Sequence, residues 1–408
     1  MKDRALVFWE DKQWVNLYPL TLSHPTFELR VGILRVMEKW KIYLEEEEAL
    51  AHTRDYLWPV LRERYPWLQE NTVASEYWVI NGRALPDPLL LDLLWDLEPN
   101  TGVFEGKEFV AARLRRSAWL LVRQGEPLEA VLERRVAIEG VLFSYLWDLI
   151  LRNPQEIQRD LSIVPYAELF QPLDPTVKVL GERVYTGHDV FVDPYVVLDA
   201  REGPIFLGDG VRIRPFTYIQ GPAAILEHSL VKPGSRIGEG TTIGPVCKVA
   251  GEIEASILLG YSNKQHEGFL GHSYIGEWVN LGAGTNNSDL KNNYQPVRVQ
   301  LPHGTVDTRQ TFVGLMAGDH VKAGINTMFN TGTVVGFGAN VFDAGFPPKF
   351  IPSFAWGGKQ GFDTYDLGKF LATARRVMAR REVELTDAYR QMVHALFELT
   401  QPERAGSV

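Results

Sequence analysis

Cysteine is almost missing: Cys247 is the one thiol in 408 residues. An intrachain disulfide is thereby excluded, and so is a metal site built from several cysteines. Long apolar runs are missing as well. No stretch approaches the ~20 residues that cross a bilayer, and the opening MKDRALVFWEDKQW has no signal-peptide core. Surplus positive charge is lacking too: 42 Lys and Arg face 51 Asp and Glu, a formal net charge of −9. That balance argues against binding a nucleic-acid backbone and leaves room for a local basic pocket only. The chain therefore reads as soluble and cytoplasmic, with no membrane and no nucleic acid among its partners. What is present is core material. With 45% hydrophobic and 23% charged residues, the chain is not disordered. Its length predicts two or three domains of ~100–200 residues.

A repeat fills the middle. Stepping by six from Leu207 meets Ile213, Ile219, Ile225, Val231, Ile237, Ile243 and Val249, all aliphatic. Four residues after each comes a second series of small or β-branched residues: Val211, Thr217, Ala223, Ser229, Ser235, Thr241, Cys247 and Ile253. A helix wants apolar residues every three or four positions, and a half-buried strand wants alternation. A period of six with Gly and Pro between fits short flat strands joined by tight turns. Three such strands close one coil, and stacked coils bury an aliphatic ladder. The rhythm is weak at Val192 and Leu198 and breaks near residue 250. It resumes at Ile275 and Leu281, with Val279 and Thr285 at the small positions, and breaks again over 286–311. A last phase runs from Val313 through Ile325 to Phe337, with Ala317, Ala323, Val335 and Val341 in support and Asp319 out of character. Breaks in a solenoid predict ejected loops at 250–274 and 286–311, the natural places for function.

The flanks differ. Residues 1–170 lack the period and read as an α/β domain, with strands at Ala5–Trp9 and Tyr77–Ile80 and helices around Val31–Glu47, Leu89–Leu97 and Leu128–Leu151. Pro165, Pro172 and Pro175 set the boundary, so the coil occupies 173–345. Phe346-Pro347-Pro348 is expected to close it. Residues 346–408 then form a helical cap, entered in its second helix through Thr386-Asp387.

Chemistry concentrates in Gly260–Tyr294, where the repeat breaks and His266, His272, Lys264, Lys291, several Asn and Gly282-Ala283-Gly284-Thr285 occur together. Histidine is the residue type that takes a proton from an amine near neutral pH. Arg214, Lys248, Lys264 and Lys291 are candidate phosphate partners.

The six-residue pattern resembles the hexapeptide repeat of left-handed parallel β-helices, and that resemblance supplies the left hand. Over roughly 173–345 the chain resembles the acetyltransferase half of GlmU-type enzymes, which acetylate glucosamine 1-phosphate from acetyl-CoA. The resemblance implies that His266 is the base and that Arg214, followed by Pro215, grips phosphate. It also implies that Gly282, Ala283, Gly284 and Thr285 flank acetyl-CoA, and that the β-helix forms a homotrimer. Phe269 stands where that family has tyrosine, and Asp289 where it has asparagine, with Asn287 nearby. Pro19-Leu20-Thr21-x-x-x-Pro25 resembles the equivalent motif of sugar-1-phosphate nucleotidyltransferases, and the wider run LTLSHPTFELRVGILRVMEKW resembles a GlmU-like subfamily of them. The nucleotide-binding candidates are Arg30 and Lys39 as replacements for the family's cations, Asp87 for its carboxylate, and Asn81 and Gly82, with NTP and Mg²⁺ if that step is active. Yet Phe8–Asn16, where a glycine-rich phosphate loop belongs, contains no glycine. The family's Gly-Asp is Gly82-Arg83 here.

The leading reading is acyl transfer from acyl-CoA to the amine of a sugar phosphate or nucleotide sugar. Rival readings are a nucleotidyltransferase whose β-helix serves assembly alone, and a non-catalytic nucleotide-sugar binder. His266 and His272 would alternatively hold zinc with a third histidine from His188, His228, His303 or His320. Cys247 reads as inert core, and Arg30 and Lys39 have a plainer reading as surface charges.

Overall fold

The computed structural model describes residues 2–164, 167–168 and 173–405. Pro165 and Pro172, on which the expected boundary rests, lie outside the described residues. The chain divides into two compact units: Met1–Leu17 with His24–Leu29 and Leu34–Ser144, and Tyr18–Ser23 with Arg30–Ile33 and Tyr145–Val408.

The first unit is built on a seven-stranded mixed sheet. Leu68–Gln69, Ala49–His52, Lys2–Trp9 and Ala74–Asn81 run parallel, in that spatial order. Glu108–Arg115 then joins antiparallel, followed by Thr101–Glu105 and Arg134–Ala137. Leu6, Val7, Phe8, Val79 and Ile80 are fully buried, the continuous apolar run of central strands covered on both faces. Both expected strands and the helix at Pro88–Asp96 are present. Two helical expectations fail. The predicted helix over 31–47 is confined to Val36–Tyr43, because the Glu38 carboxylate accepts from the Arg35 N–H at 2.7 Å and fixes the start there. The predicted helix over 128–151 splits instead. Leu128–Val131 is one 3₁₀ turn and Arg134–Ala137 a strand, and Gly140 turns the chain with a φ of 77°. The helix begins only at Leu146, where Asp148 accepts from the Tyr145 N–H at 2.9 Å, and it runs to Ile163.

The second unit is a parallel β-helix. Three ladders of strands carry Leu207, Ile225 and Ile243 in one register, Ile213, Val231 and Val249 in a second, and Ile219 with Ile237 in the third. All of these side chains are fully buried, which is the ladder that the period of six predicts. The corners between the second and third ladders stack with left-handed backbone at Tyr195, Phe216, Gly234, Gly251, Gly284 and Asn326. The helix Leu146–Ile163 packs on the first ladder: the Asn153 amide donates to Gly240 O at 2.8 Å and accepts from the Gly32 N–H at 2.6 Å. The Tyr274 hydroxyl holds Arg30 by its N–H and its carbonyl, at 2.9 and 2.7 Å.

Several details correct the sequence reading. Segment 250–274 is not ejected: Ile237 pairs with Ile253, Ile243 with Leu258 and Val249 with Lys264, so the coil continues through shortened turns. Ile253 thus joins the aliphatic ladder and leaves the small-residue series. In the last phase the ladder runs through Ala317, Ala323, Val335 and Val341, while Ile325 sits on a corner, 74% exposed. Asp319 is buried because its carboxylate accepts from Glu277 N–H at 2.7 Å and Ser23 hydroxyl at 2.8 Å. The second break does eject a loop, with an antiparallel hairpin of Arg298–Leu301 and Gly304–Asp307, but Asn286–Asn287 stays in the coil against Met328–Phe329. The coil also does not close at Phe346-Pro347-Pro348. Phe350–Ile351 and Ala355–Gly358 add further parallel strands, and Gly361–Thr364 ends the ladder antiparallel. The helices Leu367–Ala379 and Asp387–Leu399 follow, the second capped by Thr386 as expected. Their Phe370 and Phe397 pack against Phe354, with ring centroids 5.1 Å apart in both pairs.

Candidate functional site

One corner of the β-helix brings Lys264, His266 and Gly282–Thr285 together. His266 lies in the turn between Asn263–Lys264 and Phe269–Gly271, with its side chain exposed. The next turn up is Gly282–Thr285, and the two are joined directly: Gly284 N–H donates to Glu267 O at 3.1 Å. Gly282 is held to Ala323 O at 3.0 Å, and a Cβ there would lie 2.6 Å from Gly324 O, so only glycine fits. The Ala283 carbonyl accepts from Asn326 N–H at 2.7 Å, and Thr285 is buried.

Lys264 explains how the His266 turn is held. Its register partners are Val249 below and, by the same strand, Leu281 above, so it occupies a ladder position that the fold gives to aliphatic residues. It is 2% exposed. Its ammonium donates to Ala250 O and to His266 O, both at 3.0 Å. Burial pushes its pKa down to about 8, against the opposing pull of Glu267. The sequence reading made Lys264 a phosphate partner. The structure instead turns its ammonium onto two carbonyls of successive corners.

The groove beside this corner has a volume of about 490 Å³ and is lined by Phe269, Asn286, Asn287, Asp289, Met328 and Phe346 among others. Asn287 is committed to the backbone: its amide accepts from Gly271 N–H and donates to Gly271 O, each at 3.0 Å. Asp289 accepts from or shares a proton with His272 Nδ1 at 2.8 Å. Lys291 donates to Pro296 O at 2.6 Å. Among the described residues His272 gathers with Glu254 and Asp289, not with His266 or a third histidine, so the expected histidine zinc site does not form. His320 is buried against Tyr389, 2.9 Å from its hydroxyl.

Basic groups form a strip on the second ladder. Arg214 follows Ile213 and Lys232 follows Val231, which are register partners, so the two sit on consecutive coils. Arg214 is 3.1 Å from Asp193. Lys248 lies one coil further, its pKa lowered by burial and by Arg381, Arg380 and Lys232. Arg381 donates to Asn263 Oδ1 at 2.8 Å. Arg380 and Arg381 were not legible as site residues, because no repeat spacing connects the end of a helix to a coil over a hundred positions earlier.

In the first unit the predicted nucleotide groups are occupied. Lys39 is buried, as is Arg30 in the second unit, so neither is a surface charge. Asn81 donates to Asp11 Oδ2 at 2.8 Å and to Phe109 O at 2.7 Å. Gly82 is needed because a Cβ would lie 2.9 Å from Phe27 N. Asp87 caps the helix Pro88–Asp96 through Leu89 N–H at 3.0 Å. Sequence reasoning missed the centre of this region, Arg83, which is fully buried and bonds Asp11 at 2.7 Å and Glu108 at 2.5 Å. Glu10, next to Asp11, takes Thr26 N–H at 2.9 Å and Arg54 at 2.9 Å. The strand end that would cradle phosphate therefore carries two carboxylates. The signal was in the sequence, as Glu10-Asp11 in place of glycines and Arg83 in place of an acid. Cys247 is buried and its thiol is pushed up to about 12, as inert core requires.

The chain thus joins an α/β unit with a seven-stranded mixed sheet to a parallel β-helix. In comparison with known proteins, residues 6–165 match the family model of the sugar nucleotidyl transferase. The chain is 33% identical over 175 residues to the bifunctional protein GlmU of Acidithiobacillus ferrooxidans, covering 41% of this chain and 34% of that one. It is 32% identical over 178 residues to the bifunctional protein GlmU of Methylococcus capsulatus, covering 38% and 36%. The matches span about a third of the length of these curated relatives. Among solved structures, a UDP-N-acetylglucosamine acyltransferase from Campylobacter jejuni overlays 56% of this chain and 96% of its own, at 13% identity and a TM-score of 0.28. No helix among the described residues is long and apolar enough to cross a membrane.

Proposed function

We propose that the chain transfers an acyl group, most simply acetyl from acetyl-CoA, to the amine of a sugar phosphate or nucleotide sugar. The observation that carries this reading is the corner where the exposed His266 turn is bonded to the Gly282–Thr285 turn beside an open groove. In the proposed step the amine nitrogen attacks the thioester carbonyl and the C–S bond breaks. His266 takes the amine proton and returns a proton to the departing thiolate. The strip of Arg214, Lys232, Lys248, Arg380 and Arg381 supplies cations for substrate phosphates. Phe269, in place of tyrosine, offers the groove an apolar wall. The bifunctional relatives support the same class of reaction.

A nucleotidyl step is the second reading, favoured by the match at residues 6–165. The side chains present do not fit a Mg²⁺–triphosphate site: Asp87 is a helix cap, and Asp11 is consumed by Arg83 and Asn81. We assign no step to Mg²⁺. Trimerisation of the β-helix belongs to this proposal, and light scattering that finds a strict monomer would contradict it.

The test of the acyl step is His266→Ala. It should lower kcat by about 10²–10⁴-fold with little change in sugar binding, the usual cost of losing a general base. Full activity in that variant would remove the assignment.

A further inference from the structure

A second group of ligating side chains stands on the third ladder, apart from the His266 turn. Glu254 ends the strand Glu252–Glu254 and is the register partner of Gly271, so His272 follows on the next coil. Asp289 follows Asn286–Asn287 on the coil after that. His272 Nδ1 lies 2.8 Å from Asp289 Oδ2, and one ligating atom from each of the three residues lies within 4.8 Å of the other two.

The group is built rather than incidental. Phe312 stacks on the His272 ring, with centroids 5.0 Å apart and planes 22° apart. The backbone on both sides is pinned: Gly314 N–H donates to His272 O at 2.8 Å and Val313 N–H to Asp289 O at 2.9 Å. Asp289 is buried, and Glu254 and His272 are half-buried. Two carboxylates and one imidazole gathered this closely form a cation-seeking arrangement.

We propose that Glu254, His272 and Asp289 bind one divalent first-row cation of the Zn²⁺ type. One imidazole and two carboxylates are a borderline donor set, which suits Zn²⁺ better than Mg²⁺ or Ca²⁺. Zn²⁺ bonds of about 2.0–2.2 Å are within reach of the three donors by side-chain rotation, and three protein ligands leave a position for water or a ligand oxygen. Asp289 also lines the groove, so that open position adjoins it. The inference does not depend on the acyl-transfer reading.

The experiment is calorimetric titration of the chelator-treated full chain with Zn²⁺, repeated with Co²⁺ and followed by visible absorption. The expected result is one equivalent per chain and a Co²⁺ ligand-field spectrum. His272→Ala and Asp289→Asn should abolish both. The near-isosteric Glu254→Gln should weaken binding by at least about tenfold while keeping native circular dichroism. His266→Ala should bind metal as the parent does. Absence of a stoichiometric step in the parent chain, or a step that persists in natively folded Glu254→Gln and Asp289→Asn at full affinity, overturns the proposal.

Discussion

The two units treat buried charge in opposite ways. In the first unit two guanidinium groups are matched by acids: Arg83 by Asp11 and Glu108, and Arg54 by Glu10. Glu28 receives His24 at 3.0 Å, Arg64 at 3.0 Å and the Tyr65 hydroxyl at 2.9 Å. In the β-helix, Lys264 is buried with carbonyls for partners and no carboxylate, and Lys248 lies among other cations. A neutralised network stabilises a fold but offers nothing to an anionic substrate. A lysine held in an aliphatic ladder costs stability, and such a cost is commonly found where function is. The contrast teaches that the polar groups at this strand end of the α/β unit are bonded to one another, while the β-helix leaves cations unmatched by acids.

The largest effect should come from breaking the closed network. Arg83→Met leaves the half-buried Asp11 and the exposed Glu108 without their partner and should cost about 2–3 kcal/mol in denaturant unfolding. Acyl transfer per folded molecule should be unchanged. Glu28 sharpens the same point through pH. Burial alone would raise its carboxyl, but His24, Arg64 and Arg35 hold it far below the usual carboxylate range. A depressed carboxyl contributes stability above the unfolded pKa of about 4.3 and loses it as pH falls toward the folded value. Parent stability should therefore fall in acid below about pH 4.3, and Glu28→Gln should flatten that fall.

The smaller effect has the opposite sign. Lys264→Leu restores an aliphatic residue between Val249 and Leu281 and should be neutral or stabilising by about 1–3 kcal/mol. The folded pKa of about 8 lies below the unfolded value, so the unfolded chain binds more protons between the two. Parent stability should thus rise from about pH 8 to about 10.4, by roughly 3 kcal/mol, and the variant should lack this rise. Turnover should nonetheless drop, because the His266 carbonyl loses its anchor. A variant that is less stable at neutral pH and equally active would show instead that Lys264 stabilises the coil and has no part in turnover.

Much of the architecture was legible because a solenoid writes its period into consecutive residues. Leu207 through Val249 needed only counting. The errors fall where coil length changes: Ile253 shifted series when the turn shortened, and Ile325 was placed inside while Ala317 and Ala323 carry the ladder. An aliphatic residue alone does not mark phase when alanine fills a narrow coil. At the site, the His266 corner and the Gly282–Thr285 turn were readable because they lie within about one coil of each other. Arg83, Arg381 and the Glu254–His272–Asp289 group depend on contacts between distant segments, which no local pattern encodes.

On the proposed reading, chemistry belongs to the β-helix corner and not to the sheet of the first unit. One mass-spectrometric assay tests it directly: the full chain with acetyl-CoA and a panel of amino-sugar phosphates, run beside sugar phosphates with each NTP and Mg²⁺. The expected result is an N-acylated sugar that disappears with His266→Ala, and no pyrophosphate. Pyrophosphate release without any acylated product would contradict it.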